Sequence, residues 1–193
     1  FDIKYSEDKA QVIDLKPIVF GAYNDCSIRR PGAKKISEKK NWGAHSKGLS
    51  ESLFNVDSLS LGGVMDHYRI ACYLKRGDEL FSYGEDSPVL GYSYFHEKLK
   101  LWIIEKMNNQ QDTGPAENIK ELLKTSNYPS RALISVGATR YTDFGEANFL
   151  NPGDKSIVVV YDQRLYDQNE IFQMCSTQSF KSEGISALVQ EVV

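Results

Sequence analysis

The sequence predicts an α+β fold. Strand-forming stretches lie on both sides of a central helical block. Apolar residues inside that block recur at helical spacing, and one late stretch is continuously apolar. A regular βαβ array would alternate these elements, and this chain segregates them.

The chain has 193 residues, which suits one sizeable domain with an added N-terminal extension or lobe. The expected division is an extension over 1–62 and a core over 63–193. Residues 28–50, "IRRPGAKKISEKKNWGAHSKGLS", are rich in Lys, Arg, Gly and Ser and read as an exposed loop. "GVMDHYRIACYL" (63–74) is apolar and β-prone, and predicts a strand leading to Arg76.

"YSYFHEKLKLWIIEKMNN" follows. Phe95, Leu99, Trp102, Ile103 and Met107 fall on one face of an amphipathic helix. "TGPAENIKELLKTS" predicts a second helix, with Pro115 in its first turn and Ile119, Leu122 and Leu123 facing inward. The period then changes. "RALISV" (131–136) and "SIVVVYD" (156–162) predict strands, the second buried on both faces because it is apolar throughout. "NPGD" (151–154) is the turn before it.

The net charge of −3 gives no reason to expect nucleic acid as a partner. No apolar run is long enough to span a bilayer. The first residue is Phe, and no basic stretch leads into an apolar one, so no signal peptide is expected. Cys26, Cys72 and Cys175 form neither a disulfide framework nor a zinc pattern, and no metal is expected.

Three blocks carry a resemblance when taken in order. The first is "YLKRGDELF", the second "ALISVGATRYTDFGEANFL". The third begins at "SIVVVYDQRLYDQNEIF" and runs through "STQSFKSEGISALV". Together they resemble the catalytic core of bacterial mono-ADP-ribosyltransferase toxins of the cholera and pertussis type, over roughly residues 70–190. The resemblance implies a mixed, mainly antiparallel β core with flanking helices. It implies transfer of ADP-ribose from NAD to a host protein, with actin or a GTPase among the usual targets. It also implies a secreted toxin or effector that acts in the host cytosol, carried by a larger toxin or delivery complex.

Arg76 matches the family's early-strand arginine, Ser135 its middle-strand serine, and Glu183 its catalytic glutamate. Glu191, in "VQEVV", fits the glutamate pattern as an alternative. Val136 and Gly137 depart from the family's Ser-Thr-Ser strand, and Lys181 replaces the residue that bears on the acceptor. The chemistry accounts for the residue types. A guanidinium binds phosphate oxygens in two-pronged fashion. A carboxylate stabilises the positive ribose that forms as nicotinamide leaves. A serine hydroxyl bridges carboxylate and ribose. Tyr141, Phe144 and Phe149 are candidates to stack on nicotinamide, and Phe180 to touch the target protein.

Two other readings compete. Cys26 and His45 form a candidate thiolate–base pair for a hydrolase or glutamine deamidase. A non-catalytic binding module predicts instead that Arg76 and Glu183 are both solvent-facing and far apart. Convergence of Arg76, Ser135 and a glutamate on one cleft, or of Cys26 and His45, separates the three.

Overall fold

A computed structural model describes residues 1–28, 30–56 and 59–193. Arg29, within the stretch read as a loop, lies outside the described residues. The architecture is mixed α+β, with antiparallel sheets and few helices. In chain order come β1 (Asp2–Tyr5), β2 (Val12–Lys16), β3 (Val19–Phe20), β4 (Tyr23–Asp25), α1 (Ile36–Lys40), β5 (Lys47–Leu49) and β6 (Phe54–Asn55). Then follow β7 (Tyr68–Arg76), β8 (Glu79–Pro88), α2 (His96–Asn109), α3 (Ile119–Thr125), α4 (Asp143–Ala147), β9 (Lys155–Asp162), α5 (Gln168–Thr177) and β10 (Ile185–Glu191).

The main sheet has the order β10-β9-β7-β8. Its strands pair antiparallel throughout. Side chains alternate between its faces, as a pleated strand requires. Ile70, Val158 and Val160 face a core shared with β1, β2 and α2. Ala71, Ile157, Val159 and Tyr161 face a second core under α5. The continuous apolar run of β9 is thus explained: both its faces are covered. Residues 1–62 share the first core, since Ile3, Val12 and Leu15 pack in one cluster with Leu99 and Val158.

Each helix is positioned by a local device. α5 opens with a capping box, Asp167 accepting from the Glu170 amide while Glu170 accepts from the Asp167 amide, each at 2.9 Å. It ends on Gln178 in the left-handed conformation, and Gly184 (φ +66) then turns the chain into β10. A Cβ at Gly184 would approach Leu165 Cδ1 to 2.7 Å, so both backbone angle and space call for glycine. α2 buries Leu99, Ile103 and Met107 at i, i+4, i+8.

Several expectations need correction. Trp102 lies off the buried face of α2 and is 40% exposed, packed against Tyr94. The second helix starts only at Ile119, capped by Asn118, so Pro115 precedes its first turn and Leu122 faces solvent. The strand expected from residue 63 starts at Tyr68, after a short 3-10 turn over Val64–His67. The 28–50 stretch contains α1 and β5, the latter paired with β4. The strand expected over 131–136 joins no sheet. Arg131 makes an isolated bridge to Asp2, and residues 132–140 belong to no named element.

Candidate functional site

The register of the main sheet decides which candidate residues meet. One row across it runs Arg69–Tyr161–Ile185. Arg76 lies seven strand positions further along β7, roughly 23 Å at about 3.3 Å per residue. Glu183 sits two residues before Ile185, beyond the near end. Arg76 and Glu183 therefore occupy opposite ends of the sheet, and the expected Arg–Ser–Glu cleft is not assembled. Glu191, opposite Lys155, shares the Arg76 end, but Ser135 does not.

Arg76 is held by the protein's own acceptors. Its Nε donates to Asp154 Oδ1 at 2.9 Å, and its Nη2 to Asp154 Oδ2 at 2.7 Å and to the Phe149 carbonyl at 3.0 Å. The Arg76 hydrogen bonds hold the Asp154 carboxyl below the ordinary aspartate range. Asp154 also caps the turn before β9 by accepting from the Asn151 amide at 2.7 Å. Strand β7 ends in an arginine because that arginine ties it to the turn leading into β9. Near Glu183, the arginine on β7 is Arg69, held by Asp86 at 2.5 Å, with the Tyr161 hydroxyl on the other Asp86 oxygen at 2.6 Å. Glu183 itself is exposed, its carbonyl accepting from the Tyr166 hydroxyl at 2.9 Å.

The aromatic candidates pair with the protein's own rings. Phe144 stacks on Phe81 with centroids 4.3 Å apart, and Tyr141 meets Tyr83 edge-on at 5.5 Å. Phe149 is largely exposed, and Phe180 packs on the core under α5. Cys26 and His45 are close in backbone, the Cys26 amide donating to the Ser46 carbonyl at 2.9 Å. Yet the Cys26 thiol accepts from the Asn24 amide at 3.3 Å, and burial pushes its pKa up. A nucleophilic thiol needs the opposite shift.

What the fold does build is a cavity of about 320 Å³ on the first-core face of the sheet. Ile70 and Val160 form its floor, Leu99, Val89 and Met65 one wall, and Val19, Phe20 and Leu53 another. Its rim is the stretch Arg131–Gly137, which brings Ser135 to the site and away from Arg76. Tyr92 lines the cavity, and its hydroxyl is the one buried side-chain nitrogen or oxygen without a hydrogen-bond partner among the described residues. Burial pushes the Tyr92 pKa up to about 12. The rim runs tight against that ring: a Cβ at Gly137 would come within 2.4 Å of Tyr92 Cε2.

Sequence reasoning chose Ser135 for its hydroxyl and passed over Tyr92, Ile70 and Val160. Tyr92 carried no motif. Ile70 and Val160 look like ordinary strand core, and only the covering elements decide that a void lies above them.

Fold and site together define an α+β domain with an apolar cavity beside an antiparallel sheet. The family model described as "Family of unknown function (DUF5718)" matches residues 1–192, and the chain belongs to that family. No curated protein and no solved structure matches it. No helix among the described residues is long and apolar enough to cross a membrane.

Proposed function

We propose that this chain is a binding domain whose cavity takes an apolar group of its ligand. The observation that carries this reading is the cavity of about 320 Å³ floored by Ile70 and Val160. Protein interiors hold few voids larger than a water molecule. A closed apolar void of this size would cost on the order of 8 kcal/mol by cavity scaling, comparable to the whole stability of many domains. A site open at one rim takes up water instead, and an apolar ligand displaces that water favourably. The volume falls at the lower end of the range of small-ligand sites.

ADP-ribose transfer from NAD, the function implied by the sequence resemblance, has weaker support. Its arginine is bound to Asp154 and its glutamate lies at the other end of the sheet. Ser135 on the cavity rim is its one member at the site.

The test is a fluorescence titration with 1-anilinonaphthalene-8-sulfonate, followed by displacement with alkyl amides of increasing chain length. Saturable one-to-one binding that strengthens with chain length, and that Ser135→Trp at the rim blocks, is the expected result. Parallel calorimetry with NAD covers the transferase. NAD binding that weakens on Arg76→Lys, with target labelling lost in Glu183→Gln, would reverse the ranking.

A further inference from the structure

Every non-proline residue carries one backbone donor and one acceptor, and a folded chain must place them somewhere. Residues 133–139, "LISVGAT", are different: among the described residues, none of the seven makes a backbone hydrogen bond to another residue. The chain on either side is tied down. The Ala132 amide donates to the Phe1 carbonyl at 3.0 Å, and the Glu85 amide on β8 donates to the Arg140 carbonyl at 2.8 Å. Between these anchors the chain runs without turn or bend, as a strand would. Ile134 and Val136 pack against the core, while Leu133, Ser135 and Gly137 are exposed, which is the alternation of an extended chain.

This unpaired stretch is also the cavity rim. Across the opening lies β3, which belongs to a two-stranded sheet with β6 and, among the described residues, has no strand on its second edge. Val19 and Phe20 line the cavity from that side. The mouth is therefore a gap between two extended segments, above an apolar floor.

We infer that the occupant of this site is an extended peptide, added as a strand along residues 133–139, with an apolar side chain inserted into the cavity. The inference rests on the cavity reading above and specifies its ligand. A run of consecutive free amides and carbonyls calls for a partner with the same repeat, and another polypeptide backbone supplies it. A compact small molecule would satisfy one or two of these groups and leave the rest. Successive side chains of a strand point to opposite faces, so every second residue of the peptide would face the cavity. The inward side chain is uncharged and large, of the Leu, Ile or Phe kind, because the floor and walls are apolar and Arg131, the charged side chain in the lining, is already paired with Asp2.

The experiment uses the full chain and a randomised pool of N-acetylated, C-amidated heptapeptides, selected for binding and then synthesised singly. Selected peptides should carry apolar residues at alternate positions. N-methylation of one alternate set of peptide amides should weaken binding at least tenfold, while the other set tolerates it. On the protein, amide hydrogen exchange over 133–139 should be fast in the free state and at least tenfold slower with peptide. Ser135→Pro and Ala138→Pro each delete one unpaired N–H, and they lie on opposite edges of the extended chain. One of them should weaken peptide binding at least tenfold and the other should leave it near wild type, a difference between the two edges that a general loss of folding would not produce.

If the dye binds and no peptide is enriched, the peptide inference is overturned and the cavity reading stands. If neither binds, both fall. A peptide insensitive to every N-methylation and to both proline variants would also overturn strand addition. So would protection of 133–139 in a self-associated form of the free protein, which would assign the edge to a second copy.

Discussion

The two faces of the main sheet carry the same kind of residues and are finished differently. Under α5, Ile157, Val159 and Tyr161 are sealed by Ile171, Met174 and Cys175 from one capped helix. On the other face, Val158 and Val160 are covered by pieces from β2, β3, α2 and the 131–137 stretch, and a cavity remains. A regular helix presents a continuous stripe of side chains that can fill a sheet face. Irregular segments meet at angles and leave space where none of them reaches. The site lies where coverage is assembled from many short segments.

This contrast is sharpest in a matched pair of truncations. Ile171 is fully buried in the α5 core, and Ile171→Ala should cost about 3–4 kcal/mol, towards the upper part of the range for buried aliphatics. Ile70→Ala removes the same atoms from the cavity floor, where part of the side chain already faces open space. It should cost about 1–2 kcal/mol, because fewer contacts are lost and no new closed void forms. Urea unfolding of both variants reads the difference. Equal costs would mean that the cavity collapses in solution and that the two faces are alike.

A second contrast sets the Arg76 end of the sheet against the open rim. Asp154 is 3% exposed at its side chain and takes both prongs of Arg76. Its folded-state pKa lies below the unfolded one, chiefly because of those hydrogen bonds. The carboxylate therefore stabilises the fold at any pH above the ordinary aspartate value, and the benefit disappears as pH falls through the lower folded value. Asp154→Asn should lower the melting temperature at pH 7 by several degrees. The gap between variant and wild type should shrink on acidification below about pH 4, near the ordinary aspartate pKa. A gap that stays constant down to pH 2 would show that the ion pair is not what holds this end closed.

The sequence made regular elements legible and their junctions illegible. β9 is legible because five consecutive apolar or aromatic residues, Ile157 to Tyr161, need cover on both faces, and α2 because Leu99, Ile103 and Met107 keep helical spacing. "RALISV" predicts a strand because it ends in a β-prone run. Pairing depends on a neighbour at the right distance, however, and "RALISV" bridges β1 only at Arg131. Arg76 stands out in the sequence as a charged strand end, but its partner Asp154 does not, because it lies 78 positions away. The cavity left no trace in the sequence: its floor is ordinary core, and its rim is defined by what fails to touch it.

Within the open region, Tyr92→Phe tests whether the unpartnered hydroxyl weakens the free protein. A buried polar group left without a partner costs about 1–3 kcal/mol, and removing it restores part of that. Tyr92→Phe should raise the stability of the free protein by roughly 1 kcal/mol in urea unfolding. Loss of stability instead would mean that the hydroxyl has a partner in solution, and that the rim is more closed than its geometry indicates.

The smallest effect belongs to Cys26, at the edge of β10, where closure is redundant. The β4–β5 pair lies along that edge, and just before it the Ala22 amide donates to Ser186 Oγ at 2.9 Å. Asn24 Nδ2 stands within bonding distance of three acceptors: Gln190 Oε1 at 2.9 Å, Ser156 Oγ at 3.2 Å and Cys26 Sγ at 3.3 Å. An amide nitrogen has two protons, and thiol sulfur is the weakest of these acceptors. Deleting it leaves both protons with oxygen partners. Cys26→Ala should therefore change unfolding free energy by less than about 0.5 kcal/mol and leave dye and peptide binding as they were. If Cys26→Ala is as stable as wild type yet abolishes an enzymatic activity of the chain, the thiol is a nucleophile and the working site lies beside the β4–β5 pair instead of over Ile70 and Val160.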